Sequence, residues 1–207
     1  MALITVNHED ISSKFDSNQT VNEVMDRLLG GIIKDSEVIT SISINGVELT
    51  EAQEGECMPN PVSGFEKIDF TVKSSVELAF EALDSCNSYI DVVITKIQEL
   101  NVLYTSGEYE KANYLFAEVI EIMDLFVQLM SKIHSTLRTN LKEKFEKTET
   151  LQNLEIHLLS VLKGLVPAKE KNDVIMLCDL LEYELIDNLT QWKIKAIPEL
   201  KKFKEKI

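Results

Sequence analysis

Turn-forming residues are scarce in this chain of 207 residues, which has only 7 glycines and 4 prolines. That is under half of their average combined share, so a turn-dense all-β fold is disfavoured and long helices are favoured. Cysteine is equally sparse. Cys57, Cys86 and Cys178 are odd in number and widely spaced, which suits reduced thiols and offers no pair for a zinc knuckle. The three histidines, His8, His134 and His157, have no Glu three residues ahead and no second His four away, so the Glu-x-x-His pattern of di-metal bundles is missing. No glycine-rich phosphate loop, dinucleotide-binding turn or Gly-x-Ser-x-Gly elbow occurs. Long apolar runs are absent too: Leu125 to Met130 falls far short of the ~20 residues a membrane span needs. The first ten residues lack the basic region of a signal peptide. Basic charge is outweighed, with 21 Lys and Arg against 35 Asp and Glu and a net charge of −14, which argues against binding a phosphate backbone. The expectation is a cytoplasmic protein with no catalytic residue, no cofactor, no metal, and neither nucleic acid nor membrane as partner.

What is present is enough for a core. The apolar fraction is 44%, and a chain of this length buries roughly 70% of the surface it exposes when unfolded. The text changes character near Ser74, giving two expected domains, 1–74 and 75–207. In the first, Leu3 to Val6 reads as a strand, Asn7 to Asp10 as a turn and Ile11 to Phe15 as the return strand. Thr20 and Glu23 form a capping box before the apolar face of Val21, Val24, Met25, Leu28 and Leu29, which ends at Gly30-Gly31. Asn45-Gly46 between alternating apolar residues is a strong hairpin signal, since both turn positions require φ > 0. Residues 51–64 read as an exposed loop and Ile68 to Val72 as the last strand. This is a small α+β domain, and its order of elements is similar to a ubiquitin-like β-grasp, without the terminal Gly-Gly of conjugating members.

From Ser75, the expected N-cap, the pattern is helical to the end. Val76, Phe80, Leu83, Asn87, Ile90, Ile94, Ile97, Asn101 and Tyr104 follow heptad spacing, as do Tyr109, Ala112, Phe116, Val119, Met123, Phe126, Met130, Ile133 and Leu137. The short link Thr105 to Glu108 makes these two helices antiparallel neighbours. Gly107-Glu108-Tyr109-x-x-Ala112-x-x-x-Phe116 locally resembles the inter-helix turn of a tetratricopeptide repeat, though no 34-residue period recurs. A second hairpin follows, with its first helix expected to stop at Pro167 and its second to close or kink at Pro198. The fold class is therefore mainly α, with a small N-terminal α+β domain and long antiparallel hairpins packed as a four-helix bundle.

Two acidic stretches, Glu118, Glu121 and Asp124, and Asp179, Glu182 and Glu184, are candidates for a divalent metal or for solvated helix faces. The last twenty residues reverse the charge, with six lysines against two glutamates. They are expected to dock on the acidic bundle of their own chain. Function is read as a non-enzymatic protein–protein interaction module: an adaptor, a regulator, or a bundle similar in outline to flagellin-type export chaperones. Its partner is another protein of unknown identity. Asn87, Asn101, Met123, Met130 and Trp192 are the candidate interaction residues. The alternatives are a self-assembling subunit that dimerises through 75–137, and an enzyme with a carboxylate-bound metal.

Overall fold

In a computed structural model, residues 2–142, 145 and 148–206 are described. The chain divides into two compact units, Met1–Leu78 and Ala79–Ile207. The division lies one turn inside a helix, a few residues past the expected break at 74/75. The reason is local: Ser75 N–H donates to Ser36 O at 2.7 Å, which ties the first helical turn to the sheet unit.

The first unit holds five strands, β1 (Leu3–Val6), β2 (Glu9–Asp10), β3 (Glu37–Ile44), β4 (Val47–Glu48) and β5 (Lys67–Ser74), in the order β2-β1-β5-β3-β4. β1 and β5 run parallel in the centre and the other pairs are antiparallel. Asn45 (φ 51°) and Gly46 (φ 83°) turn β3 into β4 as the sequence demands. The return from β1 comes earlier than expected. Asn7 and His8 both take positive φ, so the chain reverses in two residues and β2 occupies Glu9–Asp10. Residues 12–14 then form a short 3₁₀ turn where a strand was expected.

Helix α1 (Val21–Arg27) begins at the full capping box of Thr20 and Glu23 and unwinds through Gly31 at φ 134°. Its Val21 and Val24, with the adjoining Leu28, are wholly buried in a core that includes Ile4, Ile68 and Phe70. Each such side chain contributes about 1.5–3 kcal/mol through burial. The expected loop at 51–64 instead contains helix α2 (Glu51–Cys57), started by a second capping box from Thr50 and Gln53, and a 3₁₀ turn at Val62–Gly64. With no buried residue, α2 has no apolar periodicity to announce it.

The second unit is an up-down-up-down bundle. It comprises most of α3 (Ser75–Thr105), then α4 (Tyr109–Leu141), α5 (Glu149–Glu170), and a fourth rod made of α6 (Val174–Asp179), α7 (Ile186–Gln191) and α8 (Ile197–Lys201) joined by π turns at Leu180–Leu185 and Trp192–Ala196. α3 lies against α4 through Lys96–Glu118 (2.7 Å) and Tyr89 Oη donating to Ile122 O (3.2 Å). It meets the fourth rod through Lys193–Asp91 (2.6 Å) and Lys201–Asp84 (2.8 Å). α5 meets α4 through His134–Glu155 (2.8 Å) and the fourth rod through His157–Glu184 (3.0 Å). Across the middle, Phe126 and Trp192 meet edge to face at 5.6 Å. No helix among the described residues is long and apolar enough to cross a membrane.

Pro167 does not end its helix as expected. α5 passes through Pro167, which deprives only one carbonyl of its donor, and stops beyond Glu170 where Asn172 takes φ 53°. Pro198 sits in the first turn of α8, directly after a π turn that already resets the hydrogen-bond ladder. The buried line of α3 has also shifted. It runs through Cys86, Val93 and Leu100 together with Leu83, Ile90 and Ile97, leaving Asn87 and Ile94 half-buried. A straight helix drifts ~20° per heptad, and a bundle position needs a broader stripe than a two-helix seam.

Candidate functional site

α4 carries more apolar residues than one seam can bury. Its inner line is Val119, Met123, Phe126, Met130 and Ile133, all within 3% of full burial. Beside it runs a second line, Phe116, Ile120 and Val127, which is only half-buried. α5 does the same, with Leu158, Val161 and Leu165 inside while Leu159 and Val166 remain 46% and 56% exposed. The two outer lines face each other and form an apolar groove. It comprises a cavity of about 360 Å³ between Phe116, Ile120, Val127, Leu159, Leu162 and Val166. This shares Val127 and Leu159 with a second cavity of about 310 Å³, bounded by Met130, His134, Glu155 and Trp192. From Phe116 to His134 the groove follows 19 residues of α4, or ~27 Å at helical rise.

Its two ends differ in charge. At one, His134 Nδ1 contacts Glu155 Oε1. At the other, Lys169 lies on the wall of the groove and also of a further cavity of about 380 Å³ lined by Tyr104, Tyr109, Asn113 and Leu177. Its ammonium stands 5.4 Å from the Tyr104 ring centroid and 5.2 Å from that of Phe116. It donates to Tyr104 Oη (3.0 Å) and to Asn113 Oδ1. Apart from Lys169, the charged side chains lining the groove are acidic: Asp124, Glu155 and Glu170.

The five residues singled out from sequence are dispersed. Met123 is sealed in the core, whereas Met130 and Trp192 are buried but reach the groove wall. Asn101 is buried and Asn87 half-buried on α3, away from the groove, and both have a buried amide oxygen that finds no partner among the described residues. Buried Asn188, which the spacing puts on the stripe of the last helix but not among the five, donates to Leu154 O (3.1 Å) and to His157 Nδ1 (3.0 Å). The His157 ring proton therefore sits on Nε2, facing Glu184. Phe116, expected inside the seam, forms groove wall under Lys169, and Tyr109 is exposed. Of the groove-lining residues only Met130 and Trp192 were singled out. The signal for the rest was the excess width of the α4 and α5 stripes, which marks a helix with two apolar neighbours.

The acidic stretches make ordinary contacts: Glu118 pairs with Lys96, Asp124 accepts from Gln128 and Glu184 faces His157. Among the described residues no three His, Cys, Asp or Glu side chains converge as a metal site requires. All three cysteines are free thiols. Burial pushes the Cys86 thiol up to about 11 despite the opposing charge of Lys201, so it stays protonated and is no nucleophile at neutral pH.

Residues 81–195 match the model of a family described as a domain of unknown function, DUF8042. That is more than half of the chain. The chain belongs to the DUF8042 family. Every residue named in the groove lies inside the DUF8042 match, so the groove is a feature of the family segment. Residues 3–74 match a second model, the TP0873 N-terminal domain. No curated protein and no solved structure matches the chain.

Proposed function

We propose that the bundle is a non-enzymatic protein–protein interaction module whose α4/α5 groove receives an amphipathic helix of another protein. One observation supports this above the others: a continuous apolar groove holds Leu159 and Val166 half-exposed between two long antiparallel helices. A helix laid there would complete a three-helix layer, the usual mode of helix-in-groove recognition. The acidic rim of Asp124, Glu155 and Glu170 selects for basic residues along the flanks of the incoming helix. A second copy of the chain is a poorer occupant, because each copy carries a net charge of −14. The sheet unit has the strand order and central parallel pair of a ubiquitin-like β-grasp, and we read it as a compact β-grasp module.

The test uses fluorescein-labelled 18-residue synthetic helices with a Leu face and Lys flanks, a scrambled sequence of the same composition, and the full chain. The Leu-faced helix should bind and raise anisotropy, the scrambled one should not, and Leu159→Asp with Val166→Asp should abolish binding while preserving the helical circular dichroism. Equal binding of both peptides, or binding unaffected by the double variant, overturns the reading. So does a concentration-dependent dimer in sedimentation that the double variant dissolves, which would assign the groove to a second copy.

A further inference from the structure

We propose that Lys169 fixes the direction of the docked helix by pairing with a carboxylate at that helix's C-terminal end; this rests on the reading of the groove as a helix receptor. The basis is the way Lys169 is held. Its ammonium is supported by the Phe116 ring and by two neutral oxygens, Tyr104 Oη and Asn113 Oδ1. These contacts orient the charge without neutralising it. The other lysines whose ion pairs are resolved in this unit have carboxylate partners: Lys96 with Glu118, Lys111 with Glu108, Lys193 with Asp91 and Lys201 with Asp84. The two acids nearest in sequence are Glu170 and Asp173. Asp173 is engaged as the cap of α6, where it accepts from Met176 N–H at 3.0 Å. Glu170 is exposed and lines the same groove beside Lys169.

The position of Lys169 supplies the direction. It stands at one end of the groove, and Glu155 stands at the other. A helix carries partial positive charge at its N-terminus and partial negative charge at its C-terminus. A docked helix that starts near Glu155 and ends near Lys169 sets the negative end of its dipole against the Lys169 ammonium, with Glu170 beside it in solvent. The reversed helix sets its positive end against that ammonium. The favoured helix therefore runs parallel to α5 and antiparallel to α4. A carboxylate in its last turn reaches an ammonium that is already oriented, so little side-chain entropy remains to be lost.

Three labelled 18-residue helices share the Leu face and Lys flanks and differ in one residue: Glu in the last turn, Gln in the last turn, or Glu in the first turn. The full chain should bind the first about five- to tenfold more tightly than the second, the scale of one net hydrogen bond. The third should bind no better than the second. Lys169→Gln should erase the difference between the Glu and Gln helices, and Lys169→Arg should retain most of it. If all three helices bind alike, or the preference survives in Lys169→Gln, the role of Lys169 is wrong and the groove reading stands. If none of them binds, the groove reading itself fails.

Discussion

The two units handle buried polar groups in opposite ways. In the sheet unit Asp69, only 7% exposed, takes hydrogen bonds from the Thr5 hydroxyl and from His8 N–H (3.2 Å) and contacts His8 Nδ1 at 2.6 Å. Asn7 likewise both accepts from and donates to the backbone of Val72, mimicking a strand partner. In the helical unit the amide oxygens of Asn87, Asn101, Asn188 and Gln191 and the Trp192 indole N–H are buried without a partner among the described residues. A satisfied polar network fixes one arrangement, whereas unsatisfied buried groups cost stability and leave packing less sharply determined. The sheet unit is thus built for one register. The bundle, with its open groove, depends more on apolar contact. The largest expected effect follows from that dependence. Trp192→Ala removes a fully buried ring that packs on Phe126 and should cost the bundle about 3–5 kcal/mol. Guanidinium unfolding followed by helical circular dichroism measures the loss, and amide chemical shifts of the sheet unit should stay in place.

The matching lesion in the sheet unit is Asp69→Ala. It leaves Thr5, 2% exposed, without its strongest partner and should cost about 1.5–3 kcal/mol, the range for a hydrogen-bonded charged group. Burial alone would raise the Asp69 pKa, but the Thr5 hydroxyl, the His8 N–H and the charges of His8 and Lys67 outweigh it and hold it below the ordinary 3.8. The carboxylate's stabilisation is therefore fully present above the unfolded value. It declines as the pH falls through 3.8 and disappears below the lowered folded-state value. Acid titration of the sheet-unit amide signals should show this decline in the native chain and a flatter one in Asp69→Asn. An identical acid profile in both would detach Asp69 from the stability of the sheet.

Much of this architecture was legible in the sequence because local chemistry and tertiary demand agree. Thr20 with Glu23 and Asn45-Gly46 each specify a backbone geometry through their own side chains or their tolerance of positive φ, and each forms where expected. Apolar periodicity located the long helices for the same reason. It did not locate the groove. Phe116, Ile120, Leu159 and Val166 are spaced as core residues are, and only the packing of neighbouring helices decides which of two adjacent stripes is covered. Helix α2 escaped because it buries nothing. Lys169 escaped because a cation between aromatic rings from two other helices depends on sequence separations of 65 and 53 residues, which no local pattern encodes.

A smaller effect, of opposite sign, sharpens the contrast in polar satisfaction. Asn101→Leu exchanges a buried amide whose oxygen lacks a partner for an apolar side chain of similar size. It should raise the unfolding midpoint by an amount equivalent to about 1 kcal/mol. Adding Asn87→Leu, at a half-buried site, should contribute less. Light scattering beside the guanidinium curve would show whether the mass is unchanged. A loss of stability in Asn101→Leu would mean that the amide is satisfied in solution and that the bundle is as fully determined as the sheet.

The smallest expected effect separates charge from apolar contact in the last segment. The lysines of 188–207 suggested docking on the acidic bundle, and the segment does lie on the bundle, with Lys193 on Asp91 and Lys201 on Asp84. The hydrogen bond from Lys201, and then its charge, hold the Asp84 carboxyl below the usual carboxylate range, yet Asp84 stands in solvent. Exposed pairs of this kind contribute little and are screened by salt. Beneath them Ile197 and Leu200 are fully buried, and Phe203 is 6% exposed with its ring 4.9 Å from that of Phe145. The apolar residues therefore supply the docking energy, and the lysines keep the outer face in water. Lys201→Ala, or 0.5 M salt, should leave the melting temperature of the bundle within a degree or two of the native chain. Phe203→Ala should lower it clearly and speed proteolysis of the final turns. If salt alone releases those turns, charge holds the segment and the apolar account of the bundle fails at its edge.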